Sequence, residues 1–208
     1  MERAGGRFRI VGGDELRALL PELRTVSDAW LKAKGATEKG FSLGRFDADY
    51  LMRSTCAVVG TGDGRIVAFA NVLEGPRGEE MTVDMMRHAD PTGAGLPSPM
   101  EYLILKLMEQ AKARGFRRFN LGMAPLASVG ATRRARPVER LAHQFFLHGE
   151  AWYNYQGLRR FKERFHPAWE PRYLAYRRPW DWPFAVAATT QLISGRWRTL
   201  LRVKGSDS

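Results

Sequence analysis

Three apolar segments separated by turn residues constrain the fold of this chain more than any other feature. They cover residues 56–59, 65–73 and 80–86. The first two are separated by the sequence TGDG, a turn typical of hairpins, and GPRG lies between the last two. Neighbouring strands joined by such short turns run antiparallel. The centre of the chain is therefore predicted to be a three-stranded meander.

The segments before the meander predict one more strand and two helices. Residues 7–11 have the pattern of a short strand, which Gly12 and Gly13 end. Asp14 is a predicted cap for a helix whose apolar residues recur at helical spacing up to Trp30. A second, short helix is expected over 45–54.

The segments after the meander begin with a strong helix start. Ser98, Pro99 and Glu101 form a predicted capping box, and Gly115 is expected to end that helix. The remaining predicted elements, in order, are a strand at 116–123, helices at 138–148 and 157–165, a strand at 172–176 and an apolar helix from about 182.

This order of strands and helices is that of a GNAT acyltransferase, an α/β (α+β) fold with a mixed central sheet flanked by helices. The central strands of that fold splay apart to admit an acyl donor. We expect residues 1–179 to form one GNAT-like lobe. Residues 180–208 are predicted to form an apolar and basic helix that packs on the lobe or contacts a membrane surface.

The charge of the chain limits its partners. Thirty-three Lys and Arg residues against 22 Asp and Glu residues give a net charge of +11. Such a surface attracts phosphate, in nucleic acid or in anionic lipid. No apolar window is long enough for a transmembrane helix. Cys56, the only cysteine, lies in an apolar run and is predicted to be a buried thiol.

Several motifs resemble the C-terminal catalytic region of the aminoacyl-phosphatidylglycerol synthases, also called multiple peptide resistance factors. The similar stretches are EKGFSLGRF at 38–46, TVDMMRH at 82–88, FNLGMAPL at 119–126, YNYQGLRRFK at 153–162 and EPRYLAY at 170–176. Together they extend over most of the chain. The chain resembles the second of the two GNAT-like lobes of that family.

The resemblance implies an enzyme that moves an amino acid, of the Lys or Ala class, from aminoacyl-tRNA to the headgroup hydroxyl of phosphatidylglycerol. Such transfer lowers the negative charge of the membrane and is linked to antimicrobial peptide resistance. The implied partners are aminoacyl-tRNA, anionic phospholipid and a second GNAT-like lobe or membrane flippase domain outside this chain. No cofactor is expected, and the expected location is the cytoplasmic face of the plasma membrane.

Two alternatives stay open. One is an acetyl-CoA-dependent GNAT N-acyltransferase, although the loop at 90–95, followed by Pro97 and Pro99, is a poor cradle for the CoA pyrophosphate. The other is a lobe without catalytic activity that only binds tRNA or anionic lipid.

Asp84 is the strongest carboxylate candidate, because it interrupts an apolar strand in which an unpaired charge would be costly. It is suited to accept the proton of an attacking hydroxyl or to bind the α-ammonium of the aminoacyl group. An ion pair on the outer face of the sheet is the structural alternative. The resemblance marks Arg87 as its functional partner, although in a regular strand Arg87 would point to the opposite face. Both would face one site only if the strand ends or bulges between them.

The segment from 133 to 178 carries most of the excess positive charge. The resemblance implies that Lys162 binds phosphate or stabilises an oxyanion. Arg159 and Arg160 are candidate phosphate ligands, and Tyr153 and Tyr155 are candidate stacking platforms for the unpaired tRNA end. A solvated helix face is the alternative interpretation of the basic run.

Asn120 lies in a predicted strand, where its amide must find a partner. It either orients the aminoacyl group or makes a structural hydrogen bond. The histidines have no zinc-site spacing, so no metal is expected.

Overall fold

A five-stranded sheet organises the part of the chain that the structure describes. The structure is a computed structural model, and it describes residues 5–34, 46–89, 98–124, 155–185 and 188. The strands lie in sequence order, and their bounds are β1 (Arg7–Val11), β2 (Thr55–Gly60), β3 (Ile66–Glu74), β4 (Glu80–His88) and β5 (Arg118–Asn120).

The pairing confirms the predicted meander. Strands β1 to β4 pair antiparallel with their neighbours, whereas β5 pairs parallel with β4, so the sheet is mixed. Only the first three residues of β4, Glu80 to Thr82, pair with β5. Among the described residues, the rest of that edge of β4 has no strand partner. Within the described ranges, the pairing of β4 with β5 thus ends at Thr82, two residues before Asp84.

Helices cover both faces of the sheet. The described helices are α1 (Gly13–Ala33), α2 (Ala48–Leu51), α3 (Pro99–Ala113) and α4 (Tyr155–Glu163). The core on the α1 face includes Leu16, Leu23, Cys56, Phe69 and Met85. Alternate residues of β2 and β3 point the other way, toward α3. Both central strands are thus buried on both faces, as their continuous apolar sequences require.

The cysteine is a core residue, as predicted. Cys56 has no exposed surface, and burial raises the pKa of its thiol to about 12. At neutral pH the thiol is therefore protonated and unreactive.

Two predicted helix caps are wrong. Gly12, not Asp14, caps α1, and Asp14 lies in the first turn. Ser98 precedes α3 as expected, but its φ of 47° is left-handed and its hydroxyl makes no cap hydrogen bond. The predicted capping box fails because Ser98 lacks the extended backbone that a capping side chain needs.

Two predicted strands also differ from the structure. The strand expected at 116–123 is limited to Arg118–Asn120. The segment 172–176 is exposed and contains no strand, since none of its residues pairs with the sheet. The helix expected at 138–148 and the loop at 90–95 lie outside the described residues.

The chain divides into two compact units. One contains residues 1–120 and 174–208, and the other contains residues 121–173. The first holds the sheet with α1, α2 and α3, and the second holds α4. The proposed boundary at residue 179 stays a prediction. In the part of the chain described, no helix has an apolar stretch of the length that a bilayer requires.

Candidate active site

A β-bulge brings Asp84 and Arg87 to the same face of the sheet. Ala70 pairs with Met86 and Val72 pairs with Val83, so two residues of β4, Asp84 and Met85, lie opposite the single residue between them on β3. The extra residue turns Asp84 toward α1 and α2. Of the two irregularities that would let both residues face one site, a strand end or a bulge, the structure has the bulge.

Tyr50 of α2 holds the Asp84 carboxylate. Its hydroxyl donates a hydrogen bond of 2.9 Å to Asp84 Oδ2, across 34 residues of sequence. Asp47 caps α2 by accepting from the Tyr50 backbone N–H at 2.9 Å, which fixes the start of this short helix. Asp84 itself is half-buried. A half-buried carboxylate held by a neutral donor remains available as a hydrogen-bond acceptor or a base.

Burial and charge together perturb the Tyr50 phenol. Burial raises the pKa of Tyr50, and the hydrogen bond to Asp84 and the negative charge of that carboxylate raise it further. The neighbouring Asn71 amide opposes the rise. Since a raised pKa keeps the phenol protonated at neutral pH, Tyr50 acts as the donor in this pair.

Asn71 holds the bulge from β3. Its side chain has no exposed surface, and Oδ1 accepts hydrogen bonds from the backbone N–H groups of Met85 at 2.7 Å and Asp84 at 3.3 Å. These are the two amides that the extra residue displaces from the regular ladder. The Asn71 Nδ2 atom is also buried, and it has no hydrogen-bond partner among the described residues.

Arg87 is a buried cation that contacts α1. Its guanidinium lies 4.0 Å from the centre of the Trp30 ring, and its Nε donates to the Ser27 hydroxyl at 3.4 Å. Its exposed fraction is 8%. Cation–π contact and a hydroxyl acceptor together offset part of the cost of removing the guanidinium from water.

Lys162 is buried within the second unit. Its Nζ donates to the Met123 carbonyl oxygen at 2.9 Å, and its exposed fraction is 3%. Gly122, whose φ of 75° favours glycine, lies beside the same ammonium group. Burial lowers the pKa of Lys162 to about 8. Near neutral pH, this lysine can therefore exist in both protonation states.

The chain matches a family model described as "Phosphatidylglycerol lysyltransferase, C-terminal" over residues 1–176. The chain belongs to this family. A phosphatidylglycerol lysyltransferase of Bacillus subtilis (strain 168) is 40% identical over 176 residues, which are 85% of this chain. One of Staphylococcus aureus (strain N315) is 33% identical over 171 residues, or 82% of the chain. The predicted family membership is confirmed.

Solved structures agree with the family assignment. The structure of L-PGS from Bacillus licheniformis is 37% identical, with a TM-score of 0.71, and the match covers 94% of this chain and 57% of that one. A C-terminal domain from Agrobacterium fabrum is 39% identical, with a TM-score of 0.74, over 93% of this chain and 57% of that one. The predicted fold class is confirmed.

The chain spans only part of its lysyltransferase relatives. The matched region is about one fifth of the length of the curated relatives, 20% in the Bacillus subtilis protein. It also covers little more than half of the two solved chains.

The remaining candidates of this lysyltransferase-family lobe have structural partners. Asn120 Nδ2 donates to Glu80 Oε1 at 3.0 Å, and its carbonyl accepts from the Thr82 hydroxyl, so it links β5 to β4. Arg159 forms an ion pair with Glu163 at 2.7 Å on α4. The contacts of Asn120 are those of a structural hydrogen bond, and the ion pair of Arg159 is typical of a solvated helix face. The binding roles of both residues stay predictions.

The three other candidate binding residues are Arg160, Tyr153 and Tyr155. Arg160 is exposed on α4, as a phosphate ligand would be. Tyr155 begins α4, Tyr153 lies outside the described residues, and the stacking role proposed for both stays a prediction. Among the described residues, no group of three or more His, Cys, Asp or Glu side chains is arranged to hold a metal ion.

Sequence reasoning missed Tyr50 and Asn71. A signal existed for Asn71, because it is the one amide in the apolar run VAFANVL of β3, and a buried polar side chain must have a partner. Tyr50 gave no comparable signal. Its hydroxyl reaches Asp84 only through the tertiary placement of α2.

Proposed function

We propose that this lobe transfers an amino acid from aminoacyl-tRNA to the headgroup hydroxyl of phosphatidylglycerol. The lipid and the amino acid class are those of the phosphatidylglycerol lysyltransferases that the chain resembles, and the tRNA donor follows from the resemblance of the motifs. The observation that carries the proposal is the Asp84 carboxylate, held by Tyr50 on the same face of the sheet as the Arg87 cation.

Asp84 is the proposed general base. The lipid hydroxyl oxygen attacks the carbonyl carbon of the aminoacyl ester, and its proton passes to Asp84 Oδ1, since Tyr50 occupies Oδ2. The ester bond to ribose then breaks, and Asp84 returns the proton to the departing ribose oxygen. One ester forms as another breaks, so the exchange is balanced without a cofactor.

Arg87 is proposed to hold negative charge in this reaction. Its guanidinium is held in place by the Trp30 ring and the Ser27 hydroxyl. A fixed cation is suited to a phosphate of the lipid or the tRNA end, or to the oxyanion that develops on the carbonyl. The role of Lys162 is proposed separately, as a group near its pKa that can donate or accept a proton.

The test is a transfer assay with the protein in its natural full length. Lysyl-tRNA and alanyl-tRNA are supplied in turn with phosphatidylglycerol vesicles, and lipid products are identified by mass spectrometry. The wild type is expected to form an aminoacylated lipid with one of the two donors. Asp84→Asn, which keeps the shape but loses the base, should lower kcat by about 100-fold or more.

The matched control is Asp28→Asn, which removes an exposed carboxylate from α1 and should leave kcat unchanged. Two results would contradict the proposal. The first is a wild-type protein that binds vesicles but forms no aminoacyl lipid from either donor, as a lobe limited to binding would behave. The second is wild-type kcat in Asp84→Asn.

A further inference from the structure

The Asn71 side chain makes hydrogen bonds with one end only. Its Oδ1 atom accepts from two successive amides of β4, which is unusual for a side chain inside a sheet. Its Nδ2 atom has no surface exposed to solvent and no partner among the described residues. Because a buried donor without an acceptor is costly, an asparagine that served only the fold would be a poor choice here.

Asn71 also influences the Tyr50 phenol, because its side chain lowers the pKa of that group. The amide acts on that phenol in the opposite direction from Asp84, as a donor beside the phenol oxygen does. The Tyr50 O–H is already directed to Asp84 Oδ2. The phenol oxygen thus remains as the acceptor for Asn71 Nδ2, and such a bond would strengthen Tyr50 as a donor to the carboxylate.

We propose that Asn71 is a positioning residue for the transfer reaction. It fixes the β4 bulge through Oδ1 and supports the Tyr50 hydroxyl through Nδ2, and both contacts set the orientation of Asp84. The inference rests on the proposed function, since it assigns Asn71 and Tyr50 to the site in which Asp84 is the base. Neither residue touches the reacting atoms.

The bulge explains why this orientation needs support. In a regular strand, the residue after Val83 would continue the alternation, and Asp84 and Arg87 would point to opposite faces. The side chain of Asn71 is the acceptor that replaces the regular ladder for both displaced amides. Without the Asn71 side chain, the bulge in β4 loses the hydrogen bonds that stabilise Asp84 and Met85 opposite a single residue of β3.

A double-mutant cycle tests the proposal in the full-length protein. Asn71→Ala and Tyr50→Phe are made singly and together, and kcat and KM are measured in the transfer assay. Each single variant is expected to lower kcat about 10- to 100-fold and to change KM for aminoacyl-tRNA less than about 3-fold. The double variant should lose much less than the product of the two single losses, because both residues act through Asp84.

The matched control is Val72→Ala, the next residue of β3, which is buried toward the opposite face. It removes core contacts of similar size without touching the Tyr50–Asp84 pair. We expect it to lower stability but leave kcat near the wild-type value, and its effect should multiply with that of Tyr50→Phe. Two results would overturn the positioning role. The first is an equal loss of kcat in Val72→Ala and Asn71→Ala. The second is a double variant of Asn71→Ala and Tyr50→Phe whose loss of kcat equals the product of the two single losses.

Amide hydrogen exchange separates this inference from the proposed function. In Asn71→Ala the N–H groups of Asp84 and Met85 should exchange at least about 10-fold faster relative to the rest of β4, whereas in Val72→Ala they should not. Unchanged exchange at both amides would overturn the bulge-holding part of the inference. This measurement needs no turnover, so absence of lipid product from the wild type would count against the proposed function alone.

Discussion

Lys162 shows how burial of a single residue can change its chemistry. A lysine on the basic face of α4 was expected to project toward phosphate, but its ammonium group is buried on the Met123 carbonyl. One carbonyl replaces only part of the lost hydration, so the charged form is disfavoured and the pKa falls to about 8.

This pKa shift predicts a pH dependence of stability. Between pH 8 and 10.5, the unfolded chain binds the Lys162 proton more readily than the folded chain, so the free energy of unfolding should rise with pH. The contribution is at most about 1.4 kcal/mol per pH unit. Below pH 8 both states are protonated and the contribution is flat. Urea unfolding at pH 7.5, 8.5 and 9.5 measures it, with Lys162→Met for comparison.

The difference in stability between the wild type and Lys162→Met should therefore move in favour of the wild type as the pH rises above 8. Lys32→Met, which removes an exposed lysine from α1, is the matched control and should follow the wild-type pH dependence. A difference between the wild type and Lys162→Met that stays constant from pH 7.5 to 9.5 would contradict the shifted pKa.

Two cation–π contacts of different burial join α1 to its neighbours, one to strand β4 and one to the segment that precedes α2. Arg87 of β4 lies 4.0 Å from the Trp30 ring, and Arg24 of α1 lies 4.1 Å from the Phe46 ring. Arg87 is buried, whereas Arg24 is exposed. The distances are nearly equal, so the pairs differ mainly in their access to water.

We expect the buried pair to be coupled more strongly. A double-mutant cycle with Arg87→Met and Trp30→Leu should give a coupling free energy of about 1–2 kcal/mol, because the guanidinium there is desolvated. The same cycle with Arg24→Met and Phe46→Leu should give about 0.5 kcal/mol or less, since water screens the exposed cation. Urea unfolding supplies both values. Equal couplings would show that desolvation does not govern the Arg87 contact.

The elements that were predicted correctly are those whose formation depends on residues close together in sequence. The strands of the meander, α1 and α3 were predictable because periodicity and turn residues fix them within a few residues of sequence. Segment 172–176 has strand-forming residues, but a strand needs a partner, and no described strand pairs with it. The Ser98 cap failed because a left-handed φ is not visible in the residue types.

For the whole molecule, the excess of positive charge is the dominant property. The net charge of +11 favours an anionic surface. The segment after residue 173 exposes aromatic side chains beside cations, with Trp180 and Phe184 largely exposed and Arg177 and Arg178 preceding them. Aromatic rings beside arginines are typical of the interface between water and lipid headgroups.

Vesicle binding should therefore depend on lipid charge and on salt. We expect binding to phosphatidylglycerol-containing vesicles, much weaker binding to vesicles of phosphatidylcholine alone, and loss of binding as salt rises from 0.05 to about 0.5 M. Replacing both Arg177 and Arg178 with Gln should weaken binding about 30-fold, since each basic residue near the surface contributes about 1 kcal/mol. Cosedimentation measures these affinities.

The matched control replaces Arg17 and Lys32, two exposed cations of α1, with Gln. It changes the net charge equally and should weaken binding less than the change at Arg177 and Arg178. Equal weakening by the two pairs would show that only the total charge matters and that residues 174–184 form no preferred contact surface.

Local sequence patterns predicted the central meander, the two long helices, the buried thiol and the presence of a carboxylate in an apolar strand. These follow from hydrophobic periodicity and turn chemistry, which act over short stretches of chain. Contacts between residues distant in sequence place Asp84 and Arg87 on one face, bring the Tyr50 hydroxyl to the carboxylate, hold the bulge on Asn71 and bury Lys162. A bulge is a register shift between two strands, and burial depends on residues distant in sequence, so neither has a local pattern that predicts it.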